Sequence, residues 1–445
     1  MTREQTSPTG NEDRVRRDWP ALSVVLFLCL LGGTALLTAR TYQRPGVDQS
    51  PMEGMADFHN AIYFPTVAYF NQISPYHDEY ARLYPVNRPL CLYSPLSFVL
   101  HAPWAALPLP AADWAYFAAM GVMVIALAWL SLRANSLSTA PFSVFAVAAI
   151  LLASRPAHTN LKLGQITLQI VLPFLAAVHF GRSRPWLAAC ATALVTIKPT
   201  FVVPLVWFLI VRGQFFPAFA GVAMGAVAAA ILTLPLVLSQ GAGVFFPSLL
   251  ATLNKHDSDP VVAPISSWTR VDANIVVSRL FNFNPETAWA LGVAAVVLLF
   301  AGWTVHRLAR REASLGVNSL TGLVICTATL TCVYHCTYDL LLLATSAVWL
   351  TSGARHTLSS GERRTALGLV LFLAFNYLSS RTALDAMGAN DLGFDSPGWR
   401  LATALNATAL LTLFAIACGA AWRAPHREAA YATTRQVAAP LELGV

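Results

Sequence analysis

Long apolar runs separated by short polar segments fill most of the chain. Several of these runs are shorter than the roughly 20 residues that a helix needs to cross a bilayer, but together they are typical of membrane helices. We therefore predict an all-α, polytopic membrane helix bundle with about 12 transmembrane helices. The predicted spans are 21–39, 112–132, 139–154, 165–180, 186–197, 199–211, 216–238, 287–305, 316–333, 337–352, 363–379 and 399–420.

The composition supports a lipid environment. Of the 445 residues, 56% are hydrophobic and only 11% are charged, whereas a soluble domain carries roughly 25% charged residues. The net charge of +7 raises the possibility of a nucleic-acid partner, but no basic stripe with interleaved aromatic residues is present. The basic residues lie in short loops between apolar runs, where they set orientation in the bilayer. We expect no nucleic-acid partner.

Prolines interrupt two of the apolar segments. Because proline lacks a backbone donor and disfavours helix at the preceding residue, we interpret 186–211 as a short hairpin that turns at Lys198. The segment 94–108 contains Pro95, Pro103 and Pro108. We interpret it as a juxtamembrane or re-entrant segment, because non-helical backbone at membrane depth must be surrounded by protein or by a watery cavity.

Charges in the loops predict the topology. Basic residues cluster in the short loops at 181–184, 306–311 and 361–364 and in the C-terminal tail, and the positive-inside rule places such loops in the cytoplasm. The first span ends without a small-residue cleavage site, so we expect it to be retained. The prediction is a cytoplasmic tail (1–20), a single membrane domain (21–420) with outer loops at about 40–111, 239–286 and 380–398, and a cytoplasmic tail (421–445).

The seven cysteines show no CxxC spacing, and most fall inside apolar runs. We interpret them as small buried apolar residues in preference to metal ligands or disulfide partners. The roles of Cys332 and Cys336, which would share a helical face near a candidate site, stay open.

The first outer loop contains a candidate catalytic acid, Asp57. It opens an aromatic-rich stretch that includes Tyr63 and whose apolar residues can lie along the membrane interface, where a lipid headgroup would be presented. Tyr63 is a candidate substrate contact. An alternative interpretation is that Asp57 only caps a helix, since aspartate is common at the N-cap.

Further candidate groups lie at the predicted outer ends of the spans. Cations there run against the positive-inside bias, and a phosphate-bearing substrate would explain them, because arginine and lysine bind phosphate oxygens strongly. The alternative is that their side chains extend to lipid headgroups. The members of this set are Arg155, His158, Lys162, Gly164, Gln165 and Lys198.

His335 and Asp339 lie between two apolar runs. At a spacing of i and i+4 one helical face would present both, and ionisable residues between membrane spans are candidates for function. Asp339 would then orient His335 as a donor to phosphate. A structural His–Asp pair is the alternative, and a metal site is less expected because no third ligand is spaced nearby.

Several short motifs occur in an order that resembles glycosyltransferase family 87, the polyprenyl-phosphate-mannose-dependent mannosyltransferases with the GT-C fold. The resemblance implies a GT-C bundle, an outward-facing active site, a polyprenyl-phosphate sugar donor and an inverting reaction that is independent of metals and cofactors. The motifs are Asp57 before an aromatic-rich helix, Ser74-Pro75-Tyr76, Tyr93-Ser94-Pro95-Leu96, Leu163-Gly164-Gln165, Ile197-Lys198-Pro199 and a weaker match at His335.

By position, the resemblance makes Asp57 the catalytic base and makes Lys198 and His335 donor-phosphate contacts. A tyrosine-rich segment around His335 replaces the motif that the family often shows there. We expect a glycan or glycolipid acceptor and a location in the cell (plasma or inner) membrane, with the active site extracytoplasmic. A transporter or flippase of lipid-linked saccharides is the main alternative, although no repeated pair of broken helices is visible.

Overall fold

The computed structural model describes residues 10–42, 54–86, 91–257, 259, 261–310, 316–354, 357–388, 393 and 396–423. Regular structure in these ranges is helical, and the β-pairing found among them is an isolated antiparallel bridge between Arg270 and Cys336. The predicted all-helical class is confirmed. The tails and parts of the outer loops, including the acidic residues Asp48, Glu53, Asp391 and Asp395, lie outside the described residues.

The helices follow the predicted runs closely, and α2 continues through a π-helical turn, His59–Tyr63, into α3. The bounds are α1 Gly10–Thr41, α2 Ala56–Phe58, α3 Phe64–Phe70, α4 Asp78–Leu83, α5 Leu96–Ala105, α6 Leu109–Ala134, α7 Pro141–Ala153, α8 Arg155–Leu163, α9 Thr167–Phe180, α10 Pro185–Val195, α11 Pro199–Val211, α12 Phe215–Gln240, α13 Ala242–Asp257, α14 Ala273–Phe281, α15 Thr287–Ala309, α16 Leu320–Cys332, a 3₁₀ helix Thr337–Leu343, α17 Ala344–Ser352, α18 Ser360–Phe375, α19 Arg381–Ala386 and α20 Pro397–Arg423.

Five helices in the described part of the chain are long and apolar enough to cross a membrane: the Ala21–Thr41 part of α1, α6, α12, α15 and α20. The pair α7 and α8, bent by 76°, counts as a sixth if it forms one broken span. The protein is therefore a multi-pass membrane protein, but the predicted number of about 12 spans is not confirmed. A helix of 13 residues such as α11 or α16 is only about 20 Å long, shorter than the roughly 30 Å hydrocarbon core.

The helix break predicted at Lys198 is confirmed. Helix α10 ends at Val195 and α11 begins at Pro199, with Lys198 extended between them (φ −119°, ψ 100°). This is the conformation that a following proline favours. The proline-rich segment 94–108 contains the ten-residue helix α5, with Pro103 inside it.

The described residues group into two compact units. The first unit takes in Met1–Leu172, Ala228–Ser258 and Tyr338–Ala344, with α1 packed on α7, α6 on α7, and α3 on α5. The second unit takes in Pro173–Val227, Asp259–Thr337 and Thr345–Val445. There, α16 packs against α15 and α20, and every residue of α16 is buried, so this short apolar helix is part of a protein core.

Candidate active site

Asp57 lies in the first turn of α2. The N-cap position belongs to Met55, which adopts a left-handed conformation (φ 58°) and makes no side-chain cap, so the interpretation of Asp57 as an N-cap is wrong. The Met55 N–H instead donates to the Lys162 carbonyl at 2.8 Å. This bond joins the start of α2, the helix that contains Asp57, to the end of α8.

The Asp57 carboxylate accepts a hydrogen bond from the side-chain amide of Gln165. Gln165 is only 5% exposed, and its backbone N–H closes α8 by donating to the Asn160 carbonyl at 2.9 Å. Gly164 makes the turn possible, because its φ of +69° suits glycine and a Cβ there would lie 2.5 Å from the Phe58 Cβ. The turn therefore brings a predicted substrate contact, Gln165, onto the predicted base.

Tyr93 lies close enough to both Asp57 and Asp339 to interact electrostatically with each of them. Burial raises the pKa of Tyr93 well above its usual value, and the negative charges of Asp57 and Asp339 raise it further. Asp339 is fully buried and accepts a hydrogen bond from the Thr167 hydroxyl at 2.8 Å. The first unit thus gathers two carboxylates, a phenol and an amide in one cluster.

A second polar network in the first unit was not predicted. His59 Nε2 lies 2.7 Å from Asp113 Oδ1, and the Tyr42 hydroxyl also donates to Asp113. Burial lowers the pKa of His59 to about 4, which favours the neutral imidazole in this contact. Asp113 is an acidic residue inside a predicted span, and that signal alone marks it as a candidate for a specific role.

Aromatic stacking joins α2 to α6. The Phe58 ring stacks on Tyr116 with centroids 4.3 Å apart, and the Tyr116 hydroxyl lies 3.2 Å from the Gln169 amide. Gln169 in turn bonds His101 at 2.8 Å, and His101 Nδ1 lies 2.6 Å from the Ser97 carbonyl. Phe58, the residue next to Asp57, therefore packs against a continuous and largely buried network.

In the second unit, Lys198 and His335 contact the same aromatic ring. The Lys198 ammonium lies 5.0 Å from the centroid of Phe201, and the His335 ring packs at right angles to Phe201 at 4.5 Å. Lys198 is only 7% exposed and His335 is fully buried. The two predicted donor-phosphate contacts are thus neighbours around Phe201.

The hypothesis that His335 and Asp339 share one helical face is wrong. Helix α16 ends at Cys332, and the chain continues as an extended segment in which the His335 carbonyl accepts from the Val271 N–H at 2.9 Å. Asp339 lies beyond it in the 3₁₀ helix. Backbone pairing with residues 269–271 prevents the α-helical spacing that the sequence pattern required.

Arg270 and Asp272 hold this extended segment. They form a buried two-point ion pair, with Nε–Oδ2 at 2.7 Å and Nη2–Oδ1 at 2.9 Å. The Arg270 guanidinium also stacks 4.9 Å from the ring of Tyr334. Burial alone would lower the pKa of Arg270, but the Asp272 charge outweighs it and the pKa is raised. The sequence prediction did not identify this pair.

The remaining predicted site residues differ in their contacts and in their burial. The Tyr63 hydroxyl donates to the Leu107 carbonyl at 2.8 Å, which ties the π-helical turn to the segment after α5. Arg155, 5% exposed, is the first residue of α8, and Lys162 is half-buried in the last turn of the same helix. The described residues include no group of three or more His, Cys, Asp or Glu side chains arranged to hold a metal.

All seven cysteines are free. Cys29 and Cys190 are exposed and the others are buried, so the prediction of small buried residues holds for most of them. The Cys336 thiol lies 3.3 Å from the Tyr334 hydroxyl.

A family model described as glycosyltransferase family 87 matches residues 92–332, which is more than half of the chain. The chain belongs to glycosyltransferase family 87. This family 87 protein is thus a membrane glycosyltransferase, with a sugar donor and an acceptor as substrates. The matched region includes Tyr93, Gln165 and Lys198, whereas Asp57 and His335 lie outside it. No curated protein and no solved structure matches the chain.

Proposed function

We propose that this family 87 glycosyltransferase moves a sugar, with mannose as the expected one, from a polyprenyl-phosphate donor to a hydroxyl of a glycan or glycolipid. The reaction takes place on the extracytoplasmic side of the cell membrane with inversion at the anomeric carbon. The observation that carries the proposal is the Asp57 carboxylate, which is held by Gln165 and interacts electrostatically with Tyr93.

Asp57 is the general base of the proposed reaction. Its carboxylate takes the proton of the acceptor hydroxyl as that oxygen bonds to the anomeric carbon of the donor sugar. The bond from this carbon to the phosphate oxygen breaks at the same time, and the polyprenyl phosphate leaves with the electron pair. General-base catalysis of this type typically contributes 10²–10⁴-fold in rate.

Lys198 and His335 are the proposed contacts of the donor phosphate. A lysine ammonium or a histidine N–H donates to phosphate oxygens, and such donors stabilise the negative charge that develops on the leaving group. Their common contact with Phe201 and their burial support this role. Arg155 and Lys162, on the helix joined to α2 by the Met55–Lys162 bond, are further candidates for the phosphate.

Asp339 and Tyr63 are not proposed as contacts of the donor phosphate. Asp339 is an acceptor that interacts with Tyr93, as Asp57 does, and a carboxylate suits sugar hydroxyls better than phosphate, because like charges repel. Tyr63 contributes its hydroxyl to the Leu107 carbonyl, so we assign it a supporting role. The GT-C architecture, a single membrane domain and a count of about 12 spans stay predictions.

The test of this function is the transfer of label from radiolabelled polyprenyl-phosphate-mannose in membranes that contain the wild type or Asp57→Asn. We expect Asp57→Asn to reduce incorporation by at least about 10²-fold while donor binding persists. The matched control is Asp385→Asn, which removes a carboxylate that is 54% exposed, and it should retain activity. Unchanged incorporation by Asp57→Asn would remove Asp57 from the mechanism.

A further inference from the structure

The second unit brings three arginines close enough to interact electrostatically: Arg270, Arg279 and Arg400. Among the described residues, only one carboxylate forms an ion pair with any of them. That carboxylate is Asp272, and it pairs with Arg270 through both oxygens. The remaining Arg270 nitrogen, Nη1, donates to the Val262 carbonyl at 2.8 Å. All three guanidinium nitrogens of Arg270 are thus satisfied within the protein.

Arg279 lies close to this pair, and no carboxylate among the described residues pairs with it. Its side chain, 5% exposed, donates to the carbonyls of Ile265 and Ser267, the second at 2.8 Å, and stacks 4.3 Å over the ring of Trp399. Its Nε is buried without a hydrogen-bond partner in the described structure. Carbonyl groups satisfy donors but do not neutralise a buried charge, which is costly when unpaired.

Arg400 adds a second positive charge that acts on Arg279 and has no ion-pair partner in the part of the chain that the structure describes. It follows Trp399 in the first turn of α20, which begins at Pro397, and the Ser396 hydroxyl accepts from the Trp399 N–H at 3.3 Å. A cation in this position is unfavourable, because the helix dipole is positive at its N-terminus. Burial lowers the pKa of Arg279 to about 9, with further lowering by the positive charges of Arg270 and Arg400.

We infer that Arg279 and Arg400, at the N-terminus of α20, form a binding site for a phosphate-class anion, carried by a lipid headgroup or present as free phosphate. Such an anion pairs with both guanidiniums and faces the favourable end of the helix dipole. Trp268, Leu384 and Trp399 pack together here, and this apolar surrounding strengthens the attraction by lowering the local dielectric constant.

Thermal unfolding of the purified full-length protein in neutral detergent tests this site. Inorganic phosphate is titrated against sodium chloride at equal ionic strength, and phosphatidylglycerol is added to the micelles in a parallel series. We expect a saturable rise in Tm, on the order of 2 °C, with one or both probes. A rise with phosphatidylglycerol alone assigns the anion to a lipid headgroup, and a rise with both assigns it to phosphate from either source.

Arg400→Gln, which removes the half-buried cation, should abolish the rise. Arg423→Gln, at the opposite end of the same helix, should retain it, because Arg423 is 66% exposed and pairs with Glu362. If Arg400→Gln does not fold, Arg400→Lys should keep the charge and weaken the rise. A wild type that responds to neither probe, or an equal response from Arg400→Gln, would overturn the inference.

Discussion

The side-chain amide of Gln165 donates a hydrogen bond to the carboxylate of Asp57, 108 positions earlier in the chain. This bond joins the end of α8 to the first turn of α2, and the backbone bond from Met55 to Lys162 reinforces the connection. A proposed catalytic base is thereby fixed to a second helix before any substrate binds. Such preorganisation is what efficient general-base catalysis requires.

Replacing Gln165 should therefore reduce turnover while the fold persists. In Gln165→Ala the Asp57 carboxylate loses a positioning contact, and we expect kcat to fall about 10-fold to 100-fold with a smaller change in KM for the donor. Initial-rate kinetics with the labelled donor measure this. Gln240→Ala, which removes a half-buried amide at the end of α12, should leave kcat close to the wild type. Equal effects of the two variants would show that the Gln165–Asp57 bond has no catalytic role.

Gly164→Ala should destabilise the protein and reduce activity together. A methyl group there meets the Phe58 Cβ at 2.5 Å in addition to the unfavourable φ of +69°, and we expect a loss of about 2–4 kcal/mol. Gly213→Ala is the control, because Gly213 has a φ of +71° with no atom within 4 Å of the added Cβ. It should cost about 1 kcal/mol and retain activity. Denaturation curves and rates of both variants measure the difference, and similar losses would contradict the close contact.

Stability should depend on pH through His101. Burial lowers the pKa of its imidazole from 6.5 to about 4, so the unfolded chain binds a proton on this ring at a higher pH than the folded protein. The free energy of unfolding therefore has its full contribution from the neutral His101 ring above pH 6.5. That contribution, up to about 3 kcal/mol, is lost as the pH falls toward 4. Tm measured from pH 7 to pH 4 should fall less in His101→Gln than in the wild type.

The control for this pH dependence is His306→Gln, which replaces an exposed histidine at the end of α15. Its decline in Tm should match that of the wild type. The prediction fails if His101→Gln and His306→Gln have parallel profiles.

Asp272→Asn should be strongly destabilising. It leaves the buried Arg270 guanidinium without its counter-charge, and we expect a loss of about 3–5 kcal/mol. Arg270 stacks on Tyr334, and the Val271 N–H donates to the His335 carbonyl. Because His335 is a proposed contact of the donor phosphate, the KM for the donor should also rise. Asp385→Asn, which breaks an exposed pair with Arg381 at 3.9 Å, should cost less than about 1 kcal/mol. Equal effects would mean that the buried pair does not support the segment.

Helix positions could be predicted because the signals are local. The apolar runs mark the helices, and Pro199 alone accounts for the break at Lys198. Tertiary contacts could not be predicted in this way. His335 is extended because its backbone pairs with Val271, more than sixty positions away. Asp113 is a single acidic residue within an apolar run, and the sequence does not show that it contacts His59. Gln165 was recognised as a candidate, but its bond to Asp57 depends on a turn that the sequence pattern alone does not specify.

The side of the membrane from which Asp57 and Lys198 are accessible tests the proposed transfer reaction most directly. Asp57→Cys and Lys198→Cys are made separately in a background in which the exposed thiols Cys29 and Cys190 are serine. Right-side-out vesicles are then treated with a small membrane-impermeant thiol reagent before and after permeabilisation. We predict that both positions react from the extracytoplasmic side before permeabilisation. Labelling of the two positions from opposite sides would contradict a common role in one transfer reaction.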